Sequence, residues 1–273
     1  MKVFIGVPSA RFIATDWVVG FINWVAGQST GWDVTWDFDA KAGRIDWSRS
    51  NLISKAKLIK PDWFIQMDTD VLPEISFRPV IDLLNQDKRL GFDAIGSPTT
   101  TIVRHDDGTR TLGALLRLPG SNTRGKEAMP FEEPFEVDWI AGGFFAMSQN
   151  AVKKITQIGN FGSADTERAY PAYCTNSLEE GEDVNLCRHL RSCGVKVGAD
   201  ARILTTHLKG AHYPSYRPGV GTVNMYEHGD RSTFPVYDSQ LATYLAQQKE
   251  RAKEKEETDR LLEAIHQTED HAD

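Results

Sequence analysis

The sequence predicts an α/β fold, in which helices cover a mostly parallel central sheet. Two observations predict it. Apolar runs at 2–7 and 63–67 lack the polar alternation of a half-exposed strand, so we interpret them as strands buried on both faces. Segments with helical apolar spacing alternate with strand-like segments, which is typical of strand–helix–strand units. We expect, in order, a strand at 2–7, a helix at 10–27, a strand at 32–38, a helix at 47–59 and a strand at 63–67.

Punctuating residues support these first elements. Gly27 suits the end of the first helix, because glycine readily adopts the left-handed conformation that follows a helix. Pro61 ends the second helix, since proline cannot continue one. Val34, Trp36 and Phe38 alternate with polar residues, which indicates a strand with one exposed face.

The later elements are more widely spaced. We expect helices at 75–85, 148–158 (with Ser148 as N-cap) and 181–193, and strands at 93–97, at 137–147 and within 195–206. Residues 98–134 have the composition of hairpins or long loops. We therefore expect one catalytic domain over 1–238, with halves at about 1–96 and 97–238, followed by a charged helix or tail at 239–273 that offers a surface for homo-oligomerisation.

Composition excludes several classes of protein. Hydrophobic residues make up 40% of the 273, enough for a large core, so a disordered chain is excluded. Five basic and nine acidic residues give 249–273 a charge of −4, leaving −3 for the rest, which argues against broad nucleic-acid binding. Three irregularly spaced cysteines argue against a disulfide framework and favour a cytoplasmic location. No segment has the roughly 20 apolar residues of a membrane span.

An acidic pair follows the strand at 63–67. Asp68 and Asp70 are separated by one residue, so both carboxylates can reach one hard cation such as Mn²⁺ or Mg²⁺. Ligands of parallel sheets bind beyond the carboxyl ends of the strands, which is where this pair lies. Such a cation neutralises charge on a departing diphosphate. A solvated turn is the alternative interpretation.

The order of these motifs resembles glycosyltransferases of the GT-A type, family 2-like in their Asp-x-Asp motif. The similarity extends over about 1–210 and includes 4–8, 49–53 and 60–70. It implies a nucleotide-sugar donor, commonly a UDP-sugar. By this resemblance, five residues contact the nucleotide besides Asp68: Pro8, Ser9, Arg11, Asp39 and Arg49. A guanidinium suits phosphate oxygens.

Three downstream motifs extend the resemblance. The segment 137–147 is similar to the family's acceptor-side strand, which implies acceptor contacts for Trp139, Gly142 and Gly143. Glu182 and Asp183 open the helix at 181–193; Asp183 is then the general base of an inverting transfer and Glu182 supports it. Helix-dipole stabilisation also explains acidic residues there. His207 is implied as a further metal ligand, with His212 as backup, and Lys209 as a diphosphate contact.

The acceptor is not identified by the sequence. Residues 100–126 contain five basic and two acidic residues, an excess suited to an anionic partner or to a solvated loop. A glycan, a lipid-linked acceptor and a hydroxymethylated DNA base all remain open.

Two other enzyme classes are alternative interpretations of these motifs. A haloacid dehalogenase-like phosphohydrolase would use Asp68 as its nucleophile, but its motif follows the first strand of the fold, and here Asp68 follows the third predicted strand. A sugar-nucleotide nucleotidyltransferase would need a glycine-rich basic loop after the first strand, which 8–11 lacks. A lectin-like or scaffold protein would make the acidic motifs a coincidence.

Overall fold

The computed structural model describes residues 1–9, 13, 15–26, 31–39, 44–98, 100–104, 110–114, 116–120, 133–161, 170–176, 181–208 and 212–213. Five helices occur in this part of the chain: α1 (Thr15–Ala26), α2 (Ile45–Ile59), α3 (Phe77–Arg89), α4 (Gln149–Lys154) and α5 (Glu182–Ser192). The strands up to residue 114 are β1 (Lys2–Pro8), β2 (Asp33–Asp39), β3 (Trp63–Met67), β4 (Val71–Pro73), β5 (Ala94–Gly96), β6 (Thr100–Arg104) and β7 (Arg110–Ala114). The later strands are β8 (Leu116–Arg117), β9 (Phe135–Glu136), β10 (Trp139–Ile140), β11 (Phe144–Ser148), β12 (Gly159–Phe161), β13 (Tyr170–Ala172), β14 (Val197–Ala199), β15 (Thr205–Leu208) and β16 (His212–Tyr213).

The largest sheet among the described residues is a mixed sheet of seven strands. Its strand order is β2-β1-β3-β11-β5-β14-β9. β1 is parallel to β2 and β3, and β5 is parallel to β14. β11 lies between β3 and β5 and is antiparallel to both, and β9 is antiparallel to β14. Five of the seven strands therefore point the same way, and the predicted α/β class is confirmed.

Helices cover both faces of this sheet. Residues alternate along β1, so that Phe4 packs in one core cluster with α2, α4 and α5, while Val3, Ile5 and Val7 pack in the other with α1 and α3. All five residues of β3 are buried, including Gln66. Neither face of β3 meets water, which explains why all of its residues except Gln66 are apolar.

Most predicted elements are found with shifted ends. The strand at 63–67 is confirmed with the predicted bounds, and the Ser148 side chain accepts a bond from the Ala151 backbone N–H as an N-cap. The prediction of a continuous strand at 137–147 was wrong. The chain forms β10, leaves the strand conformation at 141–143 and then forms β11. The helix expected at 75–85 extends to Arg89. In the region expected to contain hairpins or loops, β6 and β7 form a two-stranded sheet.

Contacts between Cα atoms divide the chain into two units. The first contains Met1–Val103 and Leu112–Pro218, and includes the central sheet. The second contains Arg104–Thr111 and Gly219–Asp273, of which only 104, 110 and 111 are described. The charged helix or tail predicted at 239–273 lies outside the described residues. Within the described segments, no helix combines the length and apolar character that a bilayer crossing requires.

A buried charge cluster explains the extended end of α3. Asp87 and Asp200 are both 0% exposed, and Arg202 bonds to each of them. The Arg202 Nη2–Asp87 Oδ1 distance is 2.7 Å and the Nη2–Asp200 Oδ2 distance is 2.9 Å. Burial, with the neighbouring Asp200, raises the pKa of Asp87 from 3.8 to about 8. The last turn of α3 is therefore held to the loop after β14.

This cluster should make the protein less stable as pH rises. The folded state keeps a proton on Asp87 that the unfolded chain releases above about pH 4, so the stabilisation is complete at low pH and is lost as pH rises through about 8. Asp87→Asn mimics the protonated side chain, and we expect it to reduce the slope of unfolding free energy between pH 6 and 9, measured by urea denaturation. Asp82→Asn, at an exposed position of the same helix, is the control. Equal slopes for wild type and Asp87→Asn would refute this expectation.

Candidate functional site

The site predicted from the sequence lies at the carboxyl edge of the parallel strands. β2 ends at Asp39, and Asp68 follows β3. Because β11 is antiparallel to β3, its first residue pairs with the last residue of β3, so Gly142 and Gly143 arrive at the same edge. The Asp68 backbone N–H donates to the Gly143 carbonyl oxygen at 2.9 Å. The acidic pair that begins at Asp68 and the glycine pair that ends at Gly143 are therefore in contact, although they are far apart along the chain.

The Asp68 carboxylate lies among other acidic groups at this edge. Its side chain is 24% exposed. Burial, together with the carboxylates of Asp70, Glu182 and Asp183, raises the pKa of Asp68 from 3.8 to about 6, although Arg49 opposes the shift. Four negative groups thus influence one another here, with one guanidinium among them. Such crowding of acidic groups is typical of a site that takes a cationic ligand.

Arg49 connects the two acidic motifs. Its Nη2 donates to Asp68 Oδ1 at 2.9 Å, and its Nε donates to Glu182 Oε1 at 3.2 Å. Burial alone would lower the pKa of Arg49, but the charges of Asp68 and Glu182 outweigh that effect and raise it. These carboxylates therefore favour the charged form, which arginine keeps in proteins in general. Arg49 is only 1% exposed. Its predicted contact with the diphosphate stays a prediction.

The predicted base lies in the first turn of α5. Gly181 is the N-cap, and Asp183 Oδ1 accepts a bond from the Val184 backbone N–H at 2.8 Å. A Cβ on Gly181 would lie 2.8 Å from that same oxygen, so glycine leaves room for the carboxylate. Glu182 is turned to Arg49, whereas Asp183 makes no bond to that side chain among the described contacts. The base role of Asp183 and the supporting role of Glu182 stay predictions.

The residues expected beside the nucleotide lie at the ends of β1 and β2. Pro8 pairs with Asp39, and the Ser9 backbone N–H donates to the Asp39 carbonyl oxygen at 2.9 Å. Asp39 is 4% exposed and accepts a bond from Asn51 Nδ2, while Lys55 Nζ lies 3.6 Å from Asp39 Oδ2. The Asp39 carboxylate is thus fixed by α2. Arg11 and Lys209 lie outside the described residues.

The remaining predicted residues are near this edge to different degrees. His207 is opposite Val71 in the β15–β4 register, one residue beyond Asp70. His212, the backup ligand, begins β16, which pairs with β15. Trp139 is half-buried and packs against the core cluster that includes α5. Its acceptor contact, like those of Gly142 and Gly143, stays a prediction.

Gln66 is a site residue that the sequence interpretation missed. Its Oε1 accepts a bond from Arg49 Nη1 at 3.4 Å, and its Nε2 donates to the Arg49 carbonyl oxygen at 3.2 Å. Gln66 is 0% exposed. The signal was present, because an amide in the middle of an apolar strand must find buried partners.

The acidic side chains of this edge include oxygen ligands that a divalent cation could use. Among the residues that the structure describes, no three His, Cys, Asp or Glu side chains form a complete metal site. Asp68 and Asp70 supply hard carboxylate oxygens in a strongly negative setting, which is compatible with Mg²⁺ or Mn²⁺. These cations are often held by one or two carboxylates plus substrate phosphates. The residues present fit a cation that arrives with a nucleotide.

Comparisons with known proteins give distant structural likenesses. No family model matches the chain, and no curated protein matches it. The solved structure of A197 from STIV aligns over 85% of this chain and 97% of its own, with 16% identity and a TM-score of 0.49. TarS from S. aureus aligns over 74% of this chain and 58% of its own, with 12% identity and a TM-score of 0.38.

A third likeness is to a glycosyltransferase involved in the glycosylation of the major capsid of PBCV-1. It aligns over 56% of this chain and 62% of its own, with 12% identity and a TM-score of 0.29. The alignments with this protein and with TarS span less than two thirds of those chains. All three TM-scores are below 0.5, so the fold described above rests on its own sheet topology.

Proposed function

We propose that this protein is a metal-dependent glycosyltransferase that moves a sugar from a nucleotide-sugar donor to an acceptor hydroxyl. The observation that carries the proposal is the ion-paired connection of the two acidic motifs, Asp68 with Asp70 and Glu182 with Asp183, through Arg49 at the carboxyl edge of the sheet. Nucleotide ligands of parallel sheets bind at this edge. The pairing of a cation-suited motif with a separate acidic motif matches a reaction that stabilises a leaving diphosphate and deprotonates an acceptor.

In the proposed reaction, Asp68 and Asp70 would hold Mn²⁺ or Mg²⁺ together with the donor, and the cation would neutralise the charge of the leaving group. Asp183 takes the proton from the acceptor hydroxyl while the oxygen of that hydroxyl attacks the anomeric carbon of the donor sugar. The bond between that carbon and the diphosphate oxygen breaks, and the nucleoside diphosphate leaves with the bonding electrons. Attack on the face opposite the leaving group inverts the configuration of the sugar.

The remaining predicted residues complete this arrangement. In this proposal Asp39, which adjoins Pro8 and Ser9 at the end of β2, contacts the base of the nucleotide. Trp139, Gly142 and Gly143 border the acceptor. UDP is the proposed nucleotide, and the acceptor is a glycan, a lipid-linked sugar or a hydroxymethylated DNA base. A DNA acceptor would show itself by a steep loss of affinity with salt.

The deciding experiment is a panel of nucleotide sugars, measured for binding and hydrolysis with Mn²⁺ and with a chelator, on wild type and Asp70→Ala. We expect one donor to bind and hydrolyse only with the metal, and Asp70→Ala to abolish both. Asp62→Ala, at an exposed position just before β3, is the matched control. Metal-independent donor turnover would contradict the proposed metal. Release of phosphate from simple phosphomonoesters without donor preference would favour a haloacid dehalogenase-like phosphohydrolase.

A further inference from the structure

The Arg49 guanidinium is surrounded by partners from the protein itself. All three of its nitrogens donate to groups of this chain: Nε to Glu182, Nη1 to the Gly142 carbonyl and to Gln66, and Nη2 to Asp68. These partners lie between 17 and 133 residues away along the chain. A side chain that meets a ligand directly needs donors that face the ligand, whereas the donors of Arg49 are turned inward.

The backbone around Arg49 is shaped to keep it in place. A Cβ on Gly142 would lie 2.7 Å from Nη1, 2.8 Å from Nη2 and 2.9 Å from Cζ of Arg49. Gly142 does not have a positive φ, so its backbone conformation is open to alanine. The guanidinium is therefore what excludes a side chain at this position. Gln66 adds a second constraint, because it binds both the side chain and the backbone carbonyl of Arg49.

The partners of Arg49 belong to both halves of the proposed reaction. Asp68 is on the donor side, where the cation would bind, and Glu182 precedes the proposed base on α5. A planar guanidinium can hold two carboxylates in fixed directions, which a lysine ammonium on a flexible stem cannot do. One side chain thus bonds to a carboxylate of the donor motif and to a carboxylate of the base motif.

We propose that Arg49 is a positioning residue, which sets the distance between the donor-binding motif and the general-base motif through Asp68 and Glu182 and does not bind the diphosphate. This inference rests on the proposed function. It differs from the interpretation of the sequence, in which Arg49 contacts the phosphates. The two roles predict different kinetics, because loss of a ligand contact weakens donor binding, whereas misplacement of reacting groups slows the chemical step.

The test uses Arg49→Lys and Gly142→Ala. Arg49→Lys keeps the charge but not the fork of donors. Gly142→Ala keeps the arginine but must displace it, and it therefore serves as the second variant if Arg49→Lys does not fold. Gly159→Ala is the matched control, since a Cβ there meets nothing within 4 Å and its φ is not positive. Circular dichroism and thermal unfolding establish that each variant is folded.

We expect both site variants to lower kcat by about 10-fold to 100-fold, since small misplacements of reacting groups cost on the order of 10²-fold. The donor KM and the Kd of the nucleoside diphosphate with Mn²⁺ should change less than kcat, because Asp70 and the backbone bond of Asp68 to Gly143 remain in both variants. Gly159→Ala should match wild type in all three quantities. A parallel loss of kcat in the two variants is the signature of positioning.

Two results would overturn the inference. A rise in donor KM and Kd with unchanged kcat would make Arg49 a diphosphate ligand. Unchanged kinetics in folded Arg49→Lys and Gly142→Ala would show that its contacts do not matter for turnover. Failure of wild type itself to bind or turn over any nucleotide sugar is a different outcome, which overturns the proposed function and the role of Arg49 together.

Discussion

Asp183→Asn should lower kcat by about 10²-fold to 10⁴-fold, the range that general-base catalysis contributes. Asparagine has nearly the same shape and can still accept the bond from the Val184 N–H through its carbonyl oxygen, so the first turn of α5 should be retained. It cannot take a proton from the acceptor hydroxyl. Metal-dependent binding of the donor should change by less than about threefold, since that binding involves the other acidic motif. Steady-state kinetics with saturating donor measure the effect.

The control for Asp183→Asn must remove an acidic residue from a first turn without touching the site. Asp16→Asn does this, because Asp16 is exposed in the first turn of α1. Both substitutions remove the same favourable interaction with a helix dipole, worth about 0.3–1 kcal/mol. If kcat of Asp183→Asn stays within about twofold of wild type, Asp183 is not the base that this proposal needs.

Trp17→Ala should destabilise the protein by about 3–5 kcal/mol, the usual cost of deleting a buried aromatic side chain. Trp17 is 0% exposed and stacks on Phe21 at a centroid distance of 5.0 Å. Its Nε1 also donates to the Val71 carbonyl oxygen at 2.8 Å. Since Val71 follows Asp70, the substitution removes both packing under the sheet and an anchor of the strand next to the acidic pair. Urea denaturation at fixed pH gives the free-energy change.

Two further variants separate these contributions. Trp17→Phe keeps most of the packing but leaves the buried Val71 carbonyl without this donor, and should cost about 1–3 kcal/mol. Trp36→Ala removes a tryptophan that is 50% exposed and should cost about 1 kcal/mol. Equal destabilisation by Trp17→Ala and Trp36→Ala would show that burial does not govern the loss.

Local pattern was sufficient for the elements whose environment is uniform. The strand at 63–67 is recognisable because every residue is buried, and Ser148 because an N-cap is satisfied within one turn. β4 was not predicted, since Val71–Pro73 is three residues long and ends in proline. Its pairing partner, β15, lies more than 130 residues later. The turn between β10 and β11 was missed for a related reason. The space beside Gly142 in this turn is occupied by Arg49, a residue that is distant along the chain.

The candidate residues could be named from the sequence, and their membership of one site stays a prediction. Asp68 was named from its place after a buried strand, and Glu182 and Asp183 from the resemblance to GT-A glycosyltransferases. The sequence does not show that Arg49 joins the first two, because ion pairs between residues 19 and 133 positions apart have no local signature. Gln66 was overlooked by treating its strand as apolar throughout.

The place of β11 in the sheet also bears on how the chain is made. β3 is complete once residue 67 has been synthesised, but the neighbour on its inner side is β11, which ends at Ser148. A growing chain on the ribosome therefore presents an unsatisfied strand edge for many residues, which is the stage most open to wrong strand pairing. The acceptor for the Asp68 N–H, the Gly143 carbonyl, arrives on that same late segment. The edge of the sheet that carries Asp68 is consequently complete only after β11 has been synthesised.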